Sequence, residues 1–288
     1  MRAQTLLLLC FLSAAAPAEE CACPPDETRQ EKPFIPNGLY DEVPEYKIGE
    51  RQILQEYRIY RAYLDGNSAL LDSFFKGWAD TNPPISNQQL SRLPEAFRHA
   101  YAIFKDFYQP ANLGRIGNPE WGTEQFAGVK YYVVQNSIDI AVHRELPKNS
   151  YSTDPDNLIF EASLKHFRPQ IQGDKVPLIL NDAYKSQLLR FLGGESYPAG
   201  QGNIMAPAMA KGESNKRMKF LNQFLKIYHG HWGGWRLITD PTISRINFNG
   251  TFTRAIVYFE LVYQGGEATY QFKDGKWFLK ESRLTWIT

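Results

Sequence analysis

The C-terminal stretch from Trp235 onward constrains this chain most. Four runs rich in aromatic and β-branched residues follow one another: Trp235–Thr239, Ile243–Phe248, Thr253–Tyr263 and Ala268–Phe272. A fifth, Trp277–Ile287, follows Lys273-Asp274-Gly275-Lys276. Two β-rich runs joined by Asp-Gly predict a hairpin, because glycine takes positive φ without steric cost. A second turn is expected at Gly265-Gly266. A chain that ends this way is committed to an antiparallel meander, which fixes architecture before any chemistry.

Upstream the period becomes helical. Ile53, Tyr57, Tyr60 and Leu64 share one face, Gly66 interrupts, and Leu71, Phe74, Phe75 and Trp78 repeat the spacing with Asn67 or Ser68 as cap. A third helix is expected from Pro94, its face Phe97, Tyr101, Phe104 and Tyr108. Val129–Val134 and Ile138–His143 read as a hairpin or one long bent strand, and Val176–Leu180 as a short strand. Asn181 or Asp182 caps a helix with Tyr184, Leu188, Phe191 and Leu192 inward. Residues 193–213 have loop composition. Ser214 opens a helix with Met218, Leu221, Leu225 and Tyr228 on one face, ended by Gly230. Runs of each element type, without strict alternation, indicate an α+β fold with helices packed on a curved antiparallel sheet. The expected organisation is a signal segment over 1–18, an extended linker over 19–47 and a helical then β region over 48–175. An α+β region over 176–288 ends in the meander, and 48–175 is either part of the same domain or a separate one.

A helix followed by a meander that ends in a Trp-bearing strand resembles the C-terminal part of the NTF2-like, cone-shaped α+β superfamily. The residues carrying the likeness are Trp235–Thr239, Ile243–Phe248, Ala255–Tyr263, Ala268–Phe272 and Asp274-Gly275-Lys276-Trp277. The resemblance implies a sheet wrapped around a pocket, in some members with isomerase, dehydratase or hydrolase activity that uses an Asp or His deep in the cone. No residue here matches such a position by motif.

Export is the expected fate. Arg2, the apolar run Leu6–Ala16 and Ala16-Pro17-Ala18 have the order of a secretory signal with a small-x-small cleavage site. The apolar run is too short to span a bilayer core, which needs roughly 20 residues. Cys10 and Cys21 are poorly placed for lipidation, so a periplasmic or secreted protein is expected over a lipid-anchored one. The mature chain would balance 31 basic against 31 acidic residues, which leaves no electrostatic footprint for nucleic acid. Cys21 and Cys23 lie in the linker and supply no disulfide framework.

The string Tyr228-His229-Gly230-His231-Trp232-Gly233-Gly234-Trp235 is the most unusual locally. His229, His231, Trp232 and Trp235 could rim a binding site; equally, His, Gly and Trp suit a helix C-terminus. No third ligand at matching spacing supports a metal, and no cofactor motif is present. In Thr253–Tyr263 the two alternating sets are both mainly apolar, so burial of both strand faces is expected. That would place Tyr258 and Glu260 at a pocket, with Arg254 or Arg283 as the bland ion-pair partner of Glu260. Gly194-Glu195-Ser196-Tyr197-Pro198 lacks the last glycine of a nucleophile elbow, and no phosphate-cradling loop or His-Glu-x-x-His occurs. Asn249-Gly250-Thr251 is a glycosylation sequon, with meaning only in a eukaryotic secretory pathway. The expected function is a non-enzymatic binding or accessory protein of the bacterial envelope, its partner a small molecule or an envelope protein. The alternatives are a small-molecule enzyme using a cone interior and a protein-interaction module built on the helices of 48–108.

Overall fold

The computed structural model describes residues 51–117, 126–147, 154–192, 213–229, 235–261 and 263–287. The expected signal segment and linker, most of the 193–213 loop, His231 and Trp232 lie outside the described residues.

Helix α1 (Arg51–Leu64) ends where Gly66 takes φ +60°. Ile59, Tyr60 and Ala62 are buried, while Leu64, expected inward, is exposed. Helix α2 (Ser68–Thr81) starts at Asn67, whose Oδ1 accepts from Leu70 N at 3.0 Å, and it buries Leu71, Phe74, Phe75 and Trp78 as their spacing predicts. A short helix α3 (Asn87–Ser91) adds to the expected elements. A capping box between Ser86 and Gln89 holds it, a signal present in the sequence. Helix α4 (Glu95–Phe107) follows Pro94 and buries Ala96, Ala100, Tyr101, Ile103, Phe104 and Phe107.

Strands β1 (Tyr131–Val134) and β2 (Ser137–His143) do not form a hairpin. β1 pairs in parallel with β4 (Val176–Ile179), while β2 lies between β3 (Leu158–Lys165) and β7 (Thr242–Asn249). Gln135 is the splice between them. Its Nε2 donates to the carbonyls of Ser137 and Ile243 at 2.6 and 2.7 Å, and its Oε1 accepts from Ile243 N at 2.7 Å. One buried side chain thus satisfies the backbone where the chain changes sheets.

Helix α5 (Asp182–Leu192) is capped by Asn181, as expected. Helix α6 (Glu213–Leu221) is shorter than predicted. The Asn222 side chain accepts from Ile227 N at 2.9 Å, turning the chain, so Tyr228 belongs to strand β5 (Tyr228–His229) and not to a helical face. β5 pairs with β6 (Trp235–Arg236) in a two-residue ribbon.

The terminal meander is present: β7, β8 (Arg254–Leu261), β9 (Gln264–Lys273) and β10 (Lys276–Ile287) pair antiparallel in turn. The β9–β10 turn is the expected hairpin, with Asp274 at φ 50° and Gly275 at φ 76°. Gly265-Gly266, by contrast, lies inside β9 and not in a turn. The full sheet runs β10-β9-β8-β7-β2-β3, and its β2–β7 pair is parallel, so the sheet is mixed, not purely antiparallel. The α+β class stands.

One side of this sheet presents Ile138, Ile140, Ile246, Phe248, Ala255, Val257, Phe259, Ala268 and Tyr270 to a core shared with Phe104 and Phe107 of α4. A second aromatic set gathers around β1 and β4. Trp78 stacks on Tyr184 at 5.2 Å and donates to Ile179 O at 2.8 Å, and Tyr60 meets Phe191 edge-on. Burial of each such ring contributes about 1.5–3 kcal/mol.

Candidate functional site

Alternation puts polar residues on the side of the sheet away from α4. In β8, Ala255, Val257, Phe259 and Leu261 are buried and Ile256, Tyr258 and Glu260 are only half-buried. The strand is thus covered on one face, not both. Glu260 does not point into the helix-covered core.

Strand register stacks this polar face into rows. One row across the sheet reads Asp139, Arg245, Tyr258, Glu267 and Arg283. Opposite charges on neighbouring strands attract, so this order reinforces the register. Arg283 Nε donates to Glu267 at 2.8 Å. Arg245 Nη2 donates to Glu161 Oε1 at 2.6 Å and its Nε to Asn247 Oδ1 at 2.9 Å. The next row holds Glu161, Ala141, Asn247 and Ile256. Ala141 is small and fully buried on this face.

His143 and Asn247 are buried here, at 6% and 3% exposure. Neither ring nitrogen of His143 nor the buried hydroxyl of Tyr258 has a well-formed hydrogen-bond partner. The Asn247 amide lies beside both and interacts with each, but its oxygen is already engaged by Arg245. Burial is the main force lowering the His143 pKa, with Arg245 adding to it and Asn247 and Glu161 opposing. Burial and then Glu267 raise that of Tyr258, opposed by Asn247 and Arg245. Both groups are therefore neutral near pH 7, and each offers a donor and an acceptor.

At the β6–β7 end of the same face stands a charge centre. Arg236 Nη2 lies 3.0 Å from Asp240 Oδ1, a charge contact without hydrogen-bond alignment, and donates to Thr242 Oγ1 at 3.1 Å. Glu260 Oε2 is 4.0 Å from the same nitrogen. The cation beside Glu260 is thus Arg236, not Arg254 or Arg283. Backbone pairing sets His229 against Trp235 and Tyr228 against Arg236, so the ribbon carrying two of the sequence candidates borders this centre. Tyr258 and Glu260 share the face; His231 and Trp232 lie outside the described residues.

Residues that sequence reasoning missed are His143, Asn247, Arg245, Arg236 and Asp240. Strand alternation could have placed Arg245 and Asn247 together on a polar face, but the partner strand of β7 was unreadable. Two further polar sets are structural. Tyr270 donates to Asp106 Oδ2 at 2.8 Å on the core side, where Arg115 also pairs with that carboxylate. Trp277 Nε1 donates to His99 Nδ1 at 3.0 Å, inside a cluster with Phe248, Phe252 and Phe272. The sequon side chain of Asn249 is used within its own turn, donating to Thr251 and Thr253 hydroxyls at 2.8 Å. Among the described residues, no group of three or more His, Cys, Asp or Glu could hold a metal, and no helix is long and apolar enough to cross a membrane.

Compared with known proteins, the chain matches no family model, no curated protein and no solved structure.

Proposed function

We propose that this is an exported, non-enzymatic binding or accessory protein of the bacterial envelope, and that its polar sheet face around His143, Asn247 and Tyr258 receives a small hydrogen-bonding molecule. The observation that carries the proposal is the pair of buried polar groups, His143 and Tyr258, left without well-formed partners. Such groups cost about 1–3 kcal/mol each unless a ligand or water satisfies them. The surrounding charges are already matched, Arg245 with Glu161 and Arg283 with Glu267, which favours a neutral polar ligand over an ion. Export rests on the N-terminal pattern of Arg2, the Leu6–Ala16 run and Ala16-Pro17-Ala18. The NTF2-like likeness draws support from α4 packed on one side of a meander that ends in the Trp277 strand.

The test is native mass spectrometry of the protein exported with its own leader, compared with the same sample denatured. The expected result is a mass excess that disappears on denaturation and is absent from the His143→Ala, Tyr258→Phe double variant. A ligand retained by that variant would remove this face as the site. An apo mass, with no thermal shift from polar solutes, would remove the ligand altogether.

A second reading, a small-molecule enzyme, draws on Glu260, a part-exposed carboxylate beside Arg236 and next to the His229 ribbon. Loss of a turnover in Glu260→Gln, with folding intact, would favour it over the binding protein.

A further inference from the structure

Helix α4 carries one imidazole, His99, and four rings of the sheet close around it. Phe252 stacks on it at 5.0 Å, Phe272 and Trp277 meet it edge-on at 5.3 and 5.5 Å, and Phe248 lies at 6.1 Å. These rings come from β7, the turn after it, β9 and β10. The Trp277 indole is 6% exposed and donates its N–H to His99 Nδ1 at 3.0 Å.

An indole nitrogen can only donate, so this bond exists only while Nδ1 keeps a free lone pair. It therefore fixes the neutral tautomer with its proton on Nε2. Nε2 lies 3.7 Å from Glu95 Oε1, one turn earlier on the same helix, on a side chain that is 59% exposed. The contact with Trp277 is structural at neutral pH and conditional on it. A proton on Nδ1 would set N–H against N–H, while making the ring a cation beside a carboxylate.

This end of the sheet also holds strain. Phe252 stands at φ 50°, a left-handed conformation unfavourable for a bulky side chain. Its ring is kept there by His99 and by Phe248 at 5.5 Å. Phe272 N donates to Thr253 O at 2.9 Å, which ties this turn to the β9–β10 hairpin. Both turns thus lean on one imidazole.

We propose that His99 is a pH-operated latch between α4 and this end of the sheet. Neutral, it accepts from Trp277 and holds both turns; protonated, it turns to Glu95 and releases the indole and the Phe252 ring. The charges that act on it lie on its own helix: Glu95 favours the imidazolium and Arg98 opposes it. The residues that face it from β7, the following turn, β9 and β10 are the four uncharged rings, with Lys273, Asp274 and Lys276 following in the hairpin turn. Burial is the leading influence and holds the His99 pKa below 6.5. The latch is therefore closed at pH 7 and opens as pH falls through that lowered value. The Phe252 ring would attract an imidazolium left in place, but the Trp277 N–H opposes it there, and Glu95 offers a full opposite charge.

The test is NMR of the labelled protein between about pH 7.5 and 4.5. The ring nitrogens of His99 and the indole N–H of Trp277 are followed, and amide exchange at residues 250–253 and 273–276 is measured on the same samples. The expected result is a neutral ring protonated on Nε2 and an indole resonance that moves with the His99 titration. Exchange at the two turns, corrected for its intrinsic pH dependence, should rise ~10-fold or more as the ring charges. His99→Gln keeps an acceptor for the indole and has no charge to gain, so its two turns should stay protected throughout. Glu95→Gln, at an exposed site, should move the His99 midpoint to lower pH. A neutral ring protonated on Nδ1 overturns the proposal, as does a Trp277 N–H indifferent to the His99 titration. So does a His99 that stays neutral until the whole protein unfolds, the same pH-dependent exchange in folded His99→Gln, or an unchanged midpoint in Glu95→Gln.

Discussion

Substituting Gly266 by alanine isolates what packing alone demands of this sheet. Gly266 has no positive φ, so alanine fits its backbone. On general grounds the change should stabilise by about 0.4–1 kcal/mol, because the unfolded chain loses freedom. Packing reverses the sign. A Cβ there would run into the backbone carbonyl of Arg283 on β10 and come within 2.6 Å of the Phe259 ring, which is 2% exposed. Neither can withdraw: one is paired strand backbone and the other is fixed in the core. Overpacking of this kind costs about 1–3 kcal/mol; less the unfolded-state gain of about 0.4–1 kcal/mol, we expect a net loss of about 1–2 kcal/mol, or ~2–8 °C in Tm for a chain of this size. Neighbouring Gly265 is the control. The atoms nearest its Cβ would all belong to the Trp286 indole, a side chain 43% exposed that can swing outward. Gly265→Ala should therefore cost less than about 1 kcal/mol, while changing the fluorescence contributed by Trp286, as seen by subtraction of Trp286→Phe. Urea unfolding of both variants decides it. A Gly266→Ala midpoint equal to or above wild type would refute the close approach of β9 to Phe259 and to the β10 backbone.

Two further outcomes are expected of the charged and titratable groups. Asp240→Asn should destabilise by about 2–4 kcal/mol in urea unfolding, since it strands the buried Arg236 cation, whereas Glu260→Gln should cost less than about 1 kcal/mol because that side chain is 37% exposed; equal effects would show that Asp240 is not the principal counter-ion. Burial, the leading cause in both cases, holds the pKa values of His99 and His143 below the ordinary 6.5. A histidine depressed in the folded state contributes stability that is present above the unfolded pKa and lost as pH falls through the folded one. The urea midpoint should therefore decline between pH 7 and 5, and His143→Gln should flatten part of that decline; a wild-type profile without slope would contradict it. Asp72 acts in a separate window. Burial opposes its ionisation, but hydrogen bonds from Lys130, Tyr131 and Lys76 hold its carboxyl down at about 2, so its contribution fades only in stronger acid.

The sequence by itself determined the local elements whose signals are carried by neighbours along the chain. Asn67 and Asn181 cap their helices, Leu71 to Trp78 bury the face their spacing defines, and Asp274-Gly275 makes the last hairpin. The Ser86–Gln89 capping box is just as local, yet it stands out only once the short helix is seen. Gly265-Gly266 has the composition of a turn, but both glycines make room for rings within a strand. Tertiary structure alone decided the rest. β1 and β2 part because Gln135 bonds Ile243, a residue 108 positions away, and β2 enters the terminal sheet in parallel with β7. Only that pairing brings His143 beside Asn247, and only the β7–β8 register sets Arg245 against Tyr258. The physical reason is one of range. Caps, turns and helical faces are settled by contacts a few residues apart, which a sequence displays. A polar row across a sheet depends on which strands meet and in what register, and that is fixed by the burial of the opposite, apolar face.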